Sequence, residues 1–426
     1  MGYISQAVIM AGGLGTRMGE ISRTVPKPML PIGGIPVLEH QINNLKQHGI
    51  NEIILVVGHL ASAIIDYFGD GNKNDVSIEY HIEDEPLGSA GALYVIKDKL
   101  KNDFLLLNGD VYFNMDFDRF IDFHLEGQHH ATILVHPNSH PYDSDLVVCD
   151  SDMRVLKWDS KHNVRDYYYR NLVNAGLHIL NKSFFDVVPG TGKMNLESDV
   201  LMVMTDKGCD VYAYLSPEYV KDMGTPERLQ SVSADYENGI CSAKNLRNKQ
   251  KCIFLDRDGT INASNGFISN PDDFSLLEKA GEAIKAINKS KYICIVITNQ
   301  PVIARGECSF DMLDNIHAKM ETLLGNEGAY IDDLYYCPHH PDSGYDGEVK
   351  ELKIVCNCRK PATGLIDLAV DKYNIDVNES WFIGDTQIDV DTGKNAGMKT
   401  ILLGEGISEA ESPNLFDAIM KVLCYE

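Results

Sequence analysis

The 426-residue chain contains no run of about 18 apolar residues, so no membrane-spanning helix is expected. Its first residues, MGYISQAVIMAGG, carry no basic stretch ahead of the apolar one, and no signal peptide is expected. Gln6 stands where a myristoylation signal places Ser or Thr, which argues against lipidation. Positive charge is scarce: 38 Lys and Arg face 62 Asp and Glu, for a net charge of -24. That balance argues against general nucleic-acid binding, which needs a basic face. It also means that an anionic substrate must be held by local cations, namely Mg²⁺, a few Lys or Arg, and backbone N–H groups. The 10 cysteines are scattered, so a reduced, cytoplasmic setting is expected. Clustered cysteines in such a setting read as metal ligands before disulfides. No repeat of 20–50 residues is evident.

What is present is an alternation of short apolar runs with helical patterns. Ala7–Met10, Ile53–Val57 and Phe104–Leu107 read as buried strands, and Val37–His48 and Ala90–Leu100 as intervening helices. This order predicts an α/β fold with a largely parallel sheet covered on both faces. A second α/β series opens at Cys252–Leu255 and continues through Ile293–Ile297, Trp381–Ile383 and Thr400–Leu403. The polar segment between them places domain boundaries at 1–234, a linker at 235–250, and 251–426.

Each half carries its own phosphate chemistry. Gly12-Gly13-Leu14-Gly15-Thr16-Arg17 follows the first strand directly. Gly12, Gly13 and Gly15 let the main chain approach a triphosphate with N–H groups inward, and Arg17 adds a permanent planar cation. This is not a P-loop, because no Gly-Lys-Ser/Thr follows. Lys27 sits on a stiff Pro26-Lys27-Pro28 segment. Gly88, in Leu87-Gly88-Ser89-Ala90-Gly91, forms a second small-residue turn suited to a flat base. Asn108-Gly109-Asp110 ends the most apolar strand, at the edge where ligands gather in open α/β sheets. Asp222 is the candidate second carboxylate, and two carboxylates with phosphate oxygens suit Mg²⁺.

This constellation resembles the sugar nucleotidyltransferases over about residues 4–230. The resemblance implies in-line attack of a sugar 1-phosphate oxygen on the α-phosphorus of a nucleoside triphosphate, with pyrophosphate leaving. Arg17 and Lys27 would then stabilise the triphosphate, with Thr16 in the same turn. Asp110 and Asp222 would hold Mg²⁺, and Gly88 and Asn108 would lie along the nucleotide. Asn174, Gly176 and Glu197 would face the sugar. Family members often have Glu-Lys-Pro near the sugar phosphate; here Trp158 is followed by Asp159-Ser160-Lys161, so only Lys161 matches.

The second half offers Asp256-Arg257-Asp258-Gly259-Thr260 just past a strand. Two carboxylates one residue apart can converge on one metal and one phosphate. A calcium loop is excluded because no helix precedes the motif and no Glu occupies its twelfth position. Thr298-Asn299, Arg359-Lys360 and Gly384-Asp385-x-x-x-Asp389 follow in order. Together they resemble the haloacid dehalogenase superfamily of phosphatases over about residues 251–426. The resemblance implies that Asp256 forms an aspartyl-phosphate and Asp258 acts as general acid and base. Thr298 and Lys360 would bind the phosphoryl group. Asp256, Asp385 and the carbonyl of Asp258 would hold Mg²⁺, with Asp389 in support.

Between these motifs stand Cys337-Pro338-His339 and Cys356-Asn357-Cys358. Two close pairs of soft or borderline ligands are what tetrahedral Zn²⁺ requires, and four ligands make the site structural. His340 competes with His339 for the role. This loop and residues 298–306 look most like the heptose 1,7-bisphosphate 7-phosphatases, with Asn299, Arg305 and Arg359 as substrate contacts.

A nucleotidyltransferase needs the anomeric phosphate that a careless phosphatase would destroy. A sugar phosphorylated at both ends resolves the conflict. The resemblance of the second half implies that this sugar is a phosphorylated heptose, and that of the first half to heptose and mannose 1-phosphate guanylyltransferases favours GTP; no nucleic-acid or membrane partner is expected. The alternatives are a mannose 1-phosphate guanylyltransferase, or other sugar-1-phosphate nucleotidyltransferase, fused to a histidinol-phosphatase-like or other phosphatase, and a non-catalytic sensor of nucleotide sugars.

Overall fold

A computed structural model describes residues 3–13, 15, 18, 23–190, 192–264, 266–344, 346–404 and 410–424. Thr16 and Arg17 lie outside the described residues. The chain divides into two compact units. The first comprises Met1–His136, Asp145–Ser160 and Leu172–Asn245; the second comprises Pro137–Ser144, Lys161–Asn171 and Leu246–Glu426. Two short excursions of the N-terminal half thus belong to the second unit, and Lys161 goes with them.

The first unit is built on a sheet of nine strands among the described residues. Ser77–Ile82, Glu52–Val57, Gln6–Met10 and Asp103–Asn108 lie side by side and parallel. Alternate residues serve opposite faces, and both faces are buried. Ala7, Ile9, Ile53 and Leu55 pack into one core, while Val8, Ile54 and Val56 pack into the other. This is why those strands read as continuous apolar runs.

The remaining half of the sheet departs from the parallel expectation. Val173–Asn181 runs antiparallel to Asp103–Asn108 and to Ala131–His136. The sheet is therefore mixed. A nine-residue strand with neighbours on both sides needs only long-range partners, and no local pattern announces their direction.

The helix Val37–Gln47 buries Val37, Leu38, Gln41, Ile42 and Leu45, the spacing of a one-sided apolar stripe. The helix expected over 90–100 is shorter, Gly88–Val95. Ile96 (φ −94°, ψ 8°) leaves the helical region, and Lys97–Lys99 forms a separate turn.

The second unit has a five-stranded sheet, wholly parallel, in the order Asp333–Cys337, Tyr292–Asn299, Lys251–Leu255, Trp381–Gly384, Lys399–Leu402. Ile253 and Leu255 feed one core and Cys252 and Phe254 the other. The excursions are hydrogen-bonded into this unit. Asn171 N–H donates to Glu321 Oε2 (2.6 Å) and Tyr169 N–H to Thr322 Oγ1 (2.9 Å), both on the helix Phe310–Asn326. Arg165 braces the other excursion through the carbonyls of Pro141 and Ser144 (2.7 Å each). The segment expected as a linker takes in the end of the helix Pro226–Glu237 and the short helix Ile240–Ala243.

Candidate active sites

In the first unit, the parallel pairing of Met10 with Asn108 sets two strand ends side by side. The Gly12 turn leaves one strand and Asp110 follows the other. Gln41 Nε2 fixes the turn by donating to the carbonyls of Asn108 (2.9 Å) and Val111 (2.6 Å). The short strand Val111–Asn114 pairs antiparallel with Tyr219–Asp222, in a register that sets Asp222 opposite Val111. Met223 N–H donates to the Asp110 carbonyl (3.1 Å). Asp110 and Asp222, more than a hundred residues apart, are thereby brought to one place.

Lys27 Nζ lies 3.2 Å from Asp110 Oδ2, with its stem buried. Arg228 pairs with Asp222 and opens the helix capped by Thr225. Sequence reading missed Arg228. Its signal is the Thr225-Pro226 helix start, which puts the residue three positions inside the cap back over Asp222.

Gly88 has φ of +80°, and a Cβ there would lie 2.3 Å from the Met194 carbonyl, so this close approach requires glycine. Asn174 Nδ2 donates to Glu197 Oε1 (3.4 Å), and Gly176 packs against the Asn108 amide. Burial holds the Glu197 carboxyl above its usual range, partly offset by its hydrogen bonds. Asn108, Asn174, Gly176 and Glu197 are thus linked in one polar row. Gly12 packs against Gly58 and the Glu83 carboxylate; Gly13 is open to solvent, and Gly15 adopts φ of +65°.

In the second unit, Asp256, Thr298 and Asp385 follow or end three adjacent parallel strands, with Asp256 central. Lys360 Nζ sits 2.7 Å from Asp256 Oδ1 and 2.6 Å from Asp389 Oδ1. The Lys360 ammonium is the cation set against this Asp256 oxygen. Asp385 Oδ1 is buried without a partner. Carboxylate oxygens of Asp256, Asp385 and Asp389 lie within 4.8 Å of one another, a grouping that suits a divalent cation. Asp389 supports the arrangement: its second oxygen accepts from Thr386 N (3.0 Å) and Oγ1 (2.6 Å).

Desolvation raises the Asp256 carboxyl to about 7 against the pull of Lys360, and raises Asp385 to about 6. Such crowding of buried carboxylates is relieved by a cation. Gly259, at φ +79°, allows Asp385 to approach, since a Cβ there would lie 1.9 Å from Asp385 Oδ2.

The Asp258 carboxylate faces a different set of groups, with Arg257, Gln300 and Asn262 all donating to it. Only its main-chain carbonyl remains for the expected metal role. Thr298 Oγ1 accepts from Gln300 Nε2 (2.9 Å). Asn299 grips the Lys360 main chain through two hydrogen bonds (3.0 and 3.2 Å). Arg305 is held by Glu307 (2.7 Å) and stacks 4.7 Å from the Phe267 ring. Arg359 Nη1 donates to the His339 carbonyl (3.2 Å), which ties it to the cysteine loop.

That loop gathers Cys337, His339, Cys356 and Cys358. Their Sγ and Nδ1 atoms lie 3.2–3.6 Å apart in the pairs that touch. They form a compact group able to hold one metal ion. His340 is outside it and accepts from Asp342 N–H (3.1 Å).

Comparison with known proteins gives a family match in each half. The nucleotidyl transferase family matches residues 6–239 and the HAD-hydrolase-like family matches residues 357–419. A mannose-1-phosphate guanylyltransferase of Mycobacterium tuberculosis is 32% identical over 243 residues, 57% of this chain and 67% of that protein. A D-glycero-beta-D-manno-heptose-1,7-bisphosphate 7-phosphatase of Haemophilus ducreyi is 35% identical over 178 residues, 41% of this chain and 94% of that protein. The Salmonella typhi phosphatase of the same name is 34% identical over 173 residues, 40% of this chain and 90% of that protein. The chain belongs to the nucleotidyl transferase family and carries, fused to that domain, a haloacid dehalogenase-type domain like the heptose-bisphosphate phosphatases. By family, both parts are enzymes. No helix among the described residues is long and apolar enough to cross a membrane.

Proposed function

We propose that the chain is a bifunctional enzyme of nucleotide-activated heptose synthesis. Its second unit removes the 7-phosphate of D-glycero-D-manno-heptose 1,7-bisphosphate. Its first unit transfers GMP from GTP to the resulting heptose 1-phosphate and releases pyrophosphate. The observation that carries this reading is the union, in one chain, of a transferase site that needs an anomeric phosphate with a phosphatase domain 35% identical to a heptose 1,7-bisphosphate 7-phosphatase. The choice of GTP rests on the guanylyltransferase relative.

In the phosphatase, Asp256 Oδ attacks phosphorus and the 7-oxygen leaves with a proton from Asp258. Water then attacks the aspartyl-phosphate, gives a proton to Asp258, and frees Asp256 and phosphate. Thr298 and Lys360 bind the phosphoryl oxygens. In the transferase, Lys27, with Arg17, holds the triphosphate while the sugar phosphate attacks in line, so positioning and charge neutralisation carry the rate. Asp256 and Asp385, with the Asp258 carbonyl, would hold Mg²⁺ in one unit, and Asp110 and Asp222 in the other. When bound, Mg²⁺ supplies charge that offsets carboxylate–phosphate repulsion. Cys337, His339, Cys356 and Cys358 would hold a structural Zn²⁺.

The test supplies heptose 1,7-bisphosphate with each of the four nucleoside triphosphates and identifies products by mass. GDP-heptose with one phosphate and one pyrophosphate released per turnover is the expected result. Release of the anomeric phosphate, or activity confined to mannose 1-phosphate and histidinol phosphate, overturns the reading.

A further inference from the structure

The bulkiest fully buried side chain among the described residues is an arginine, and it lies between the two catalytic aspartates in sequence. Arg257 is wholly inaccessible. Burying a guanidinium is unfavourable unless every donor is matched, so its partners indicate what it does. Nη2 donates to both oxygens of Asp258, at 2.8 and 2.9 Å, and Nε reaches Oδ1 at 3.2 Å. The same Nη2 donates to Gln300 Oε1 (3.1 Å), and Nη1 meets His317 Nε2 at 3.2 Å.

His317 comes from the helix Phe310–Asn326 and is itself buried. Burial first, then Arg257 and Arg170, hold its pKa well below the usual range. It is therefore neutral and can accept from the guanidinium. Gln300 closes the ring by donating to Asp258 Oδ2 (2.8 Å) and Thr298 Oγ1 (2.9 Å).

Building on the phosphatase reading above, we infer that Arg257, fixed by His317 and Gln300, is a positioning residue that aims the Asp258 carboxyl group for its two proton transfers. The carboxylate partner of the Arg257 guanidinium is Asp258, and Gln300 links the same guanidinium to Thr298. In the first transfer the P–O7 bond breaks and the departing oxygen takes the Asp258 proton. In the second, water loses a proton to Asp258 as its oxygen bonds to phosphorus and the bond to Asp256 breaks. Both transfers need the carboxyl in one orientation, whereas attack by Asp256 does not.

This division gives a signature that a purely structural role lacks. An alkyl leaving group needs the acid and p-nitrophenolate does not. The full-length protein carrying Arg257→Met is assayed on heptose 1,7-bisphosphate and on p-nitrophenyl phosphate. The expected result is a kcat on the heptose lowered about 100-fold or more, with KM within about threefold. p-Nitrophenyl phosphate should still give a rapid release of p-nitrophenolate stoichiometric with enzyme, followed by slow turnover. Nucleotidyl transfer should be unchanged.

Two further variants keep the inference testable should Arg257→Met not fold. His317→Gln retains an acceptor and should stay near the wild type, while His317→Leu should lose about tenfold in kcat on the heptose. Equal losses on both phosphate esters with no rapid release, or wild-type rates in His317→Leu, overturn it. An unmodified protein that hydrolyses no sugar phosphate would instead defeat the underlying phosphatase reading.

Discussion

The two units handle phosphate with opposite arrangements of charge. In the first, the site joins the Gly12 and Gly88 turns to two ion pairs, Arg228 with Asp222 and Lys27 with an Asp110 side chain that remains 32% exposed. In the second, a lysine is enclosed between carboxylates, and the Asp389 side chain is only 1% exposed. The difference follows the chemistry each must perform. Nucleotidyl transfer leaves the protein uncharged by any covalent bond, so it needs access for two substrates and fixed donors. Phosphate transfer to a side chain requires a carboxylate brought against an anion, and burial strengthens every interaction that makes this possible. The cost is a cluster of desolvated carboxyls, and that is where burial raises Asp256 and Asp385.

The comparison breaks most sharply by removing one carboxylate from each unit. Asp256→Asn keeps shape but removes the proposed nucleophile, and should bring phosphate release below about one ten-thousandth of its rate while nucleotidyl transfer continues. Asp110→Ala should do the reverse, cutting transfer on the order of a thousandfold through lost charge neutralisation. Purified heptose 1-phosphate with GTP reports the first unit, and heptose 1,7-bisphosphate alone reports the second. Loss of both activities from either substitution would mean that the sites do not work independently.

A second asymmetry lies in the cysteines. Four ligands converge in the second unit and no such group of cysteines occurs among the described residues of the first. Cys356→Ser, or chelation, should destabilise the second unit alone. The loss should fall well below the roughly 10–16 kcal/mol of small zinc peptides, on the order of 4 kcal/mol, because this unit has two hydrophobic cores of its own. Thermal unfolding followed separately in each unit checks the direction. A metal assay finding no zinc in the purified protein would sink the assignment.

Much of this was legible in the sequence because strand ends and motifs are local. Asp110, Asp256 and Asp385 each end an apolar run, and each stands at a strand's carboxyl edge in the structure. What escaped reading depends on distant pairing. Asp333–Cys337 ends in a candidate metal ligand, and its half-buried Leu334, Tyr335 and Tyr336 did not read as a buried strand. The excursions 137–144 and 161–171 are polar, and their place in the second unit rests on partners such as Glu321 and Thr322, some 150 residues on. Arg257 was visible as a letter of a motif, but its worth depends on His317, sixty positions away. Gln300 and Asn262 were missed for the same reason: an amide says nothing until its partner is known.

The smallest expected effect concerns acid. His178 lies on the strand Val173–Asn181, in register with both Leu106 and Ile133, and its Nε2 is buried without a partner. Burial lowers its pKa to about 4, opposed only by a hydrogen bond to the Leu106 main chain. The unfolded chain takes up this proton near the ordinary value of 6.5, whereas the folded unit resists until about 4. Between those values the unfolded state binds more protons, so stability is complete above 6.5 and falls as pH drops towards 4. The full window is worth about 3 kcal/mol at most. In the second unit His317 acts in the same direction, so the two must be separated by hydrogen exchange of peptides from each. His178→Leu should reduce the pH dependence of the first unit's exchange, leaving the part that His129, lowered by burial to about 4, supplies, and should leave the second unit unchanged. An unaltered slope in the first unit would mean that the folded sheet already accommodates a charged imidazole there.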